Sequence, residues 1–152
     1  IMASTITAGS LTVKITEAIT LNGSDMGSTN TFTVGSINEI NQRIVSLDAG
    51  NLRTLFEFGA VIGSGTFVKS NVQYVRITNK DDTNAVSLNL ATATSNCWVD
   101  VAAGQSLMVS KAVSTTQGVA SGTVGVPVLA DLATITGYSA NSIDLDCYIA
   151  LT

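Results

Sequence analysis

The chain has 152 residues, a formal charge of −4, no histidine and only 12% charged side chains, about half the usual share. A length of this order buries roughly two thirds of the unfolded surface in one domain without a metal or disulfide. The acidic balance leaves no basic field to neutralise phosphates, so nucleic-acid binding is excluded, and the lack of imidazole removes the commonest general base and metal ligand.

The first residues carry no charged and apolar leader, because Lys14 already lies inside an alternating strand pattern. The expectation is synthesis in a cytoplasm, with residues 1–10 as an extended N-terminal arm of a single domain spanning 1–152. Ile1 precedes an ordinary-looking start at Met2 and reads as a remnant. From 11 to 21, Leu11, Val13, Ile15, Ile19 and Leu21 share one parity, and Thr12, Lys14, Thr16 and Thr20 the other. That period of two is the mark of a strand with one face buried. Glu17 interrupts the apolar parity, and an inward charge of that kind guards an edge strand more often than it catalyses. Asn22-Gly23 is a turn signal. With Ser24 it is also a formal glycosylation sequon, which the missing leader argues against.

Phe32 and Val34 continue the alternation. The next stretch is ambiguous: Ser36-Ile37-Asn38-Glu39 has capping-box spacing and Ile37, Ile40 and Ile44 fall at helical intervals, whereas Arg43 to Leu47 reads as strand. Further strands follow with Phe56, Phe58, Ala60 and Ile62, with Val75 and Ile77, with Val86, Leu88 and Leu90, with Cys97, Val99 and Val101, with Leu107 and Val109, and with Ile143, Leu145, Cys147, Ile149 and Leu151. Turn residues separate them at Asp48-Ala49-Gly50-Asn51, Gly63-Ser64-Gly65, Ala103-Gly104 and Ser139-Ala140-Asn141. Residues 112–130 are uncharged over nineteen positions, but Gly118, Gly122, Gly125 and Pro127 make them loop and edge strand rather than a membrane span. The fold class expected is all-β, an antiparallel β-sandwich of jelly-roll type with at most one short helical turn.

Little here resembles catalytic machinery. Gly118-Val119-Ala120-Ser121-Gly122 misplaces the serine of a nucleophile elbow by one position. No phosphate-cradling glycine loop occurs. Cys97 and Cys147 both fall on apolar parities and are expected buried and free, although neighbouring strands could join them in a disulfide. Two cysteines without histidine do not complete a zinc site. Asn79-Lys80-Asp81-Asp82-Thr83-Asn84 lacks the spacing of a calcium loop and reads as the tip of a hairpin. We therefore expect no enzyme, no cofactor, no metal and no membrane partner.

The informative outward residues are Tyr74 and Arg76 on one strand, Trp98 and Asp100 on another, and Asp144, Asp146 and Tyr148 on a third. Trp, Tyr and Arg are enriched in interface hot spots, although a lone outward tryptophan also packs under loops. Tyr74, Arg76, Trp98, Asp100 and Tyr148 form the candidate interface.

Taken together, "INEINQRIVSLDAGNLRTLFEFGA", "YVRITNKDDTNAVSLNL", "WVDVAAGQSLMV" and "SIDLDCYIAL" resemble small virion structural proteins of tailed bacteriophages, especially phages of marine bacteria. The likeness runs over roughly residues 37 to 151 and includes an acidic turn, an "AGQS" hairpin and a terminal "YIA" strand. It implies a β-sandwich subunit of the particle, and the first expectation is a decoration or cement protein that binds the major capsid protein and itself. Low charge density favours close packing of copies, a trimer suits the local three-fold positions of a shell, and the acidic balance favours the outer capsid surface. The alternative is a receptor- or glycan-binding module of a tail or head fibre.

Overall fold

The computed structural model describes residues 5–93, 96–110 and 132–152. The readings placed on Ile1 and on residues 112–130 lie outside the described residues. Among the described residues thirteen strands follow in chain order: β1 Gly9–Glu17, β2 Thr20–Leu21, β3 Ser24–Asp25, β4 Ser28–Ile37, β5 Glu39–Leu47, β6 Arg53–Gly59, β7 Thr66–Val68, β8 Val72–Asn79, β9 Val86–Ala91, β10 Asn96–Val101, β11 Ser106–Ser110, β12 Thr134–Tyr138 and β13 Ile143–Leu151. A single 3-10 turn at Lys69–Asn71 is the one helical element among the described residues.

Two sheets carry the body. Sheet one runs β11-β8-β13-β5, and sheet two runs β10-β9-β12-β6-β7. All pairings are antiparallel except that the short β7 lies parallel to β6. One continuous cluster fills the space between the sheets: Leu47, Val75, Ile77, Leu145, Cys147 and Ile149 from sheet one meet Phe56, Phe58, Val86, Leu88, Leu90 and Ile135 from sheet two. Apart from Leu47 and Ile135, these are the alternating apolar residues read from the sequence, so the period of two did set the buried face, whereas the β12 strand that carries Ile135 was not read from it.

β6 departs from strict alternation, because Leu55 and Phe56 are both buried. The register with β12 slips between Ile135 and Thr136. A bulge turns two consecutive residues inward there. Leu55 fills the space over Gly137, where an added Cβ would sit 3.2 Å from both Leu47 Cδ1 and Leu55 Cδ1. The alternation written through Ala60 and Ile62 also stops early. β6 ends at Gly59, and Val61 and Ile62 stand 75% and 76% exposed.

Residues 36–44 hold no helix: Ser36 and Ile37 end β4, Asn38 is a link, and β5 runs from Glu39. Ser36 adopts φ +59°, and the Asn38 amide donates to the Leu151 carbonyl at 3.0 Å, which seats β5 directly alongside β13. Tertiary pairing overrides the local helical spacing. The turns fall where the composition places them: Asn22 and Gly23 at φ +50° and +78°, and Gly50, Gly65 and Gly104 all at positive φ.

Two supposed hairpins are arches. β8 and β9 lie in different sheets, as do β10 and β11, so the 79–84 and 102–105 turns each carry the chain from one sheet to the other. Asn79 makes the first arch possible. Its fully buried side chain donates to the carbonyls of Asn84 at 2.8 Å and Val101 at 3.2 Å, supplying partners that a hairpin ladder would otherwise give.

Of the described residues expected in an N-terminal arm, Gly9 and Ser10 belong to β1. β1 and β4 pair in register from Leu11↔Val34 to Glu17↔Ser28 and form a two-stranded ribbon. The ribbon lays Leu11, Val13, Phe32 and Val34 against the outer side of sheet one, over Tyr74, Ala150 and Tyr148. Near its far end Gly27 passes so close to Glu17 that a Cβ would stand 2.3 Å from the Glu17 carbonyl oxygen.

Candidate functional site

The five candidate interface residues divide between opposite faces of the molecule. Tyr74, Arg76 and Tyr148 belong to sheet one, and Trp98 and Asp100 to sheet two. Parity puts all of them on outer faces, but the ribbon covers part of one face and leaves the other open.

Under the ribbon, the register aligns Gln42, Tyr148, Arg76 and Met108 in one row across β5, β13, β8 and β11. The neighbouring row holds Ile44, Asp146, Thr78 and Ser106. Tyr74 is only 4% exposed. Its ring lies 6.5 Å from Phe32 and 6.0 Å, edge to face, from Tyr148. Burial raises the Tyr74 pKa, with the Arg76 charge opposing and Tyr148 adding to the shift. Arg76 donates to Asp146 Oδ2 at 3.0 Å, bonds Thr78, and holds its guanidinium carbon 5.7 Å from the Tyr148 ring centre. Gln42 donates to Asp146 Oδ1 at 3.2 Å, and Thr78 shares a 2.7 Å hydrogen bond with Ser106. Burial works against ionisation of Asp146, but the bonds from Gln42 and Arg76, with the charges of Arg76 and Lys80, outweigh it and hold the carboxyl below its ordinary range. A cleft of about 300 Å3 remains between β1 and this face, lined by Lys14, Tyr74, Arg76, Met108 and Tyr148.

The outer face of sheet two carries a second set. Trp98, Asn89 and Thr136 form one cross-strand row, and Asp100, Ser87 and Tyr138 the next. Trp98 is 51% exposed and Tyr138 39%. Ser87 donates to Asp100 Oδ1 at 2.6 Å. Tyr138 was not singled out from the sequence. The alternation around Gly137 carries its signal, since Ile135 and Gly137 face inward and leave Tyr138 outward.

The acidic turn is a self-satisfied arch. Asp81 accepts from the amides of Thr83 at 3.0 Å and Asn84 at 2.5 Å and from the Asn84 side chain at 3.0 Å, and its own amide bonds Asn79 Oδ1 at 3.0 Å. The Asn84 and Thr83 amides lower the Asp81 pKa. Asp82 bonds only Thr83 Oγ1, at 2.9 Å. Asp81 is therefore a turn residue, as expected, in an arch rather than a hairpin. A polar hollow of about 380 Å3 beside it is lined by Asp48, Lys80, Asp81 and Asp144 among others. Among the described residues no three His, Cys, Asp or Glu side chains gather as metal ligands, and no helix is long and apolar enough to cross a membrane.

The cysteines differ. Cys147 is fully buried, and burial pushes its thiol up to about 11, with Asp146 adding to the shift and Arg43 and Arg76 opposing it. Cys97 is exposed, against expectation, and both are free. Its parity is inward, but it stands near the start of β10 at the edge of sheet two, where nothing among the described residues covers it. Comparison with protein-family models, with curated proteins and with solved structures returned no match.

Proposed function

We propose that this chain is a structural subunit of a tailed-phage virion, a decoration or cement protein on the outer capsid surface with the major capsid protein as its partner. The observation that carries the reading is the strand order. Leaving aside the ribbon and β7, one sheet reads β5-β13-β8-β11 and the other β6-β12-β9-β10. Such alternate filling of two sheets supports reading the sandwich as a double Greek key of jelly-roll type, an architecture used by viral capsid and lectin domains among others. Fold alone does not assign function. The reading also draws on the sequence likeness to virion proteins, on low surface charge and on an acidic balance unfavourable beside packaged DNA. Quantitative mass spectrometry of purified virions of the phage that encodes the chain tests it. Hundreds of copies per particle are expected, and absence from the particle would refute it.

A second reading is favoured by Trp98 and Tyr138, exposed on one face beside the Asp100–Ser87 pair. Aromatic faces with adjacent hydrogen-bonding groups suit sugar rings, as in a fibre module that binds glycans. A few to a few dozen copies at one vertex would select this reading.

A further inference from the structure

β5 is an edge of sheet one and, at nine residues, the longest edge strand among the described residues; β10, β11 and β7 have six, five and three. It pairs with β13 without a register break, and among the described residues no strand lies along its other side. Glu39 through Ile44 are exposed on both faces, with Ile40 at 56% and Ile44 at 61%. Proline, lysine and bulges, the usual devices that blunt an edge, are all missing from it.

One guard is present. Glu39 and Arg43 lie on the inward parity, where an unrelated apolar strand would leave two charges unpaired. The two charges are opposite in sign and four residues apart, so a two-fold axis through β5 brings each to the other. With the axis at Gln42, Ile40 of one copy opposes Ile44 of the second, and Glu39 stands diagonal to Arg43 of the second at roughly 7–8 Å, within reach of long side chains. Arg43 spends one nitrogen on the Leu55 carbonyl, which leaves further guanidinium donors free. The edge that repels a stranger is matched to itself.

We propose that two copies of this chain associate through β5, antiparallel about a two-fold axis at Gln42, joining their sheets into one continuous sheet. The symmetry is two-fold rather than the three-fold expected for a subunit at local three-fold positions of a shell, and the pairing stands independently of the virion reading.

Analytical ultracentrifugation of the purified full-length chain, with native mass spectrometry, tests it. The chain should be a dimer. Arg43→Glu and Glu39→Arg, each folded by circular dichroism, should each weaken self-association about tenfold or more by setting like charges across the axis. An equimolar mixture of the two variants should recover dimers, all of them mixed, because each Glu then meets an Arg. Should Arg43→Glu fail to fold through loss of the Leu55 contact, Ile44→Lys on the exposed outer face should give the same weakening. A chain monomeric at all concentrations, a trimer, a dimer indifferent to both reversals, or a mixture without mixed dimers would each overturn the proposal. A monomer still found at hundreds of copies per virion would overturn the pairing alone, whereas a β5 dimer absent from virions would overturn the virion reading alone.

Discussion

Arg76 lies over the ring of Tyr148 while its Nη2 reaches Asp146 at 3.0 Å, so one guanidinium ties together two outward residues of β13. Read from the sequence alone, Arg76 and Tyr148 await a partner protein. In the fold they already have partners, and the expected effect of mutation moves from attachment to stability. Arg76→Lys keeps the charge but loses the planar fork and the stacking. It should cost about 1–2 kcal/mol in chemical denaturation, with Arg76→Ala costing more because Asp146 then loses its ion-pair partner and keeps only the Gln42 side-chain bonds.

Trp98 has the opposite profile. Half exposed on the open face of sheet two, it should change folding stability by less than about 1 kcal/mol on truncation to alanine. If it anchors a capsid contact, Trp98→Ala should weaken capsid attachment by about 2 kcal/mol or more. Titration of the variant onto capsids lacking the native subunit measures this, and unchanged attachment would remove Trp98 from the interface.

The two thiols should separate cleanly in labelling. Cys97 should react with a maleimide within minutes in the native protein, and Cys147 only on unfolding. The raised thiol pKa of Cys147 also has a sign in stability. Its contribution is complete below the ordinary value of 9.0 and is lost as pH rises toward about 11, where the fold must accept a buried thiolate. A shift of that size corresponds to roughly 3 kcal/mol. Cys147→Ala should flatten the alkaline fall in the melting midpoint.

Acid acts on Asp81 and Asp146. Both carboxyls are held below 3.8 in the fold, so their contribution is full above that value and disappears as pH falls through the lower folded values. Asp81→Asn should reduce the acid sensitivity of the melting midpoint between pH 4 and pH 2 without moving the midpoint's alkaline limb. An unaltered acid limb would mean that the Thr83 and Asn84 amides do not favour the ionised form.

Gly137 is the packing test. A Cβ there stands 3.2 Å from two leucine methyls, so Gly137→Val should overpack the core and cost about 1–3 kcal/mol or more. Gly137→Val combined with Leu55→Ala should recover part of that loss, since Leu55 is one of the two neighbours.

Which side chains face inward was legible in the sequence because a period of two is a local property, and Val75, Ile77, Leu88 and Leu145 obeyed it. The turns were legible for the same reason. What a strand pairs with is not local. An arch and a hairpin can both use Asn, Asp and Gly, so nothing between Thr78 and Val86 announces that β8 and β9 join different sheets. Tyr74 read as outward and was, yet the ribbon that covers it is contributed by Phe32, some forty positions earlier. Leu55 was missed because a bulge breaks the period without changing composition. Cys97 was misplaced because parity gives a face but not its distance from the edge of the sheet.

The position of β13 governs the order of assembly. It sits inside sheet one between β8 and β5, and its Asp146 meets Gln42 across 104 positions of chain. β8 can pair with β11 earlier, but among the described residues β5 has no partner strand before β13 arrives, so the closure of the longest-range pairing precedes the reward from it. Refolding should therefore be slow, on the order of milliseconds to seconds. During synthesis β5 and one side of β8 stay unpaired until β13 leaves the ribosome, and this waiting interval, rather than the finished fold, is where the chain is most exposed to misassembly with other nascent copies.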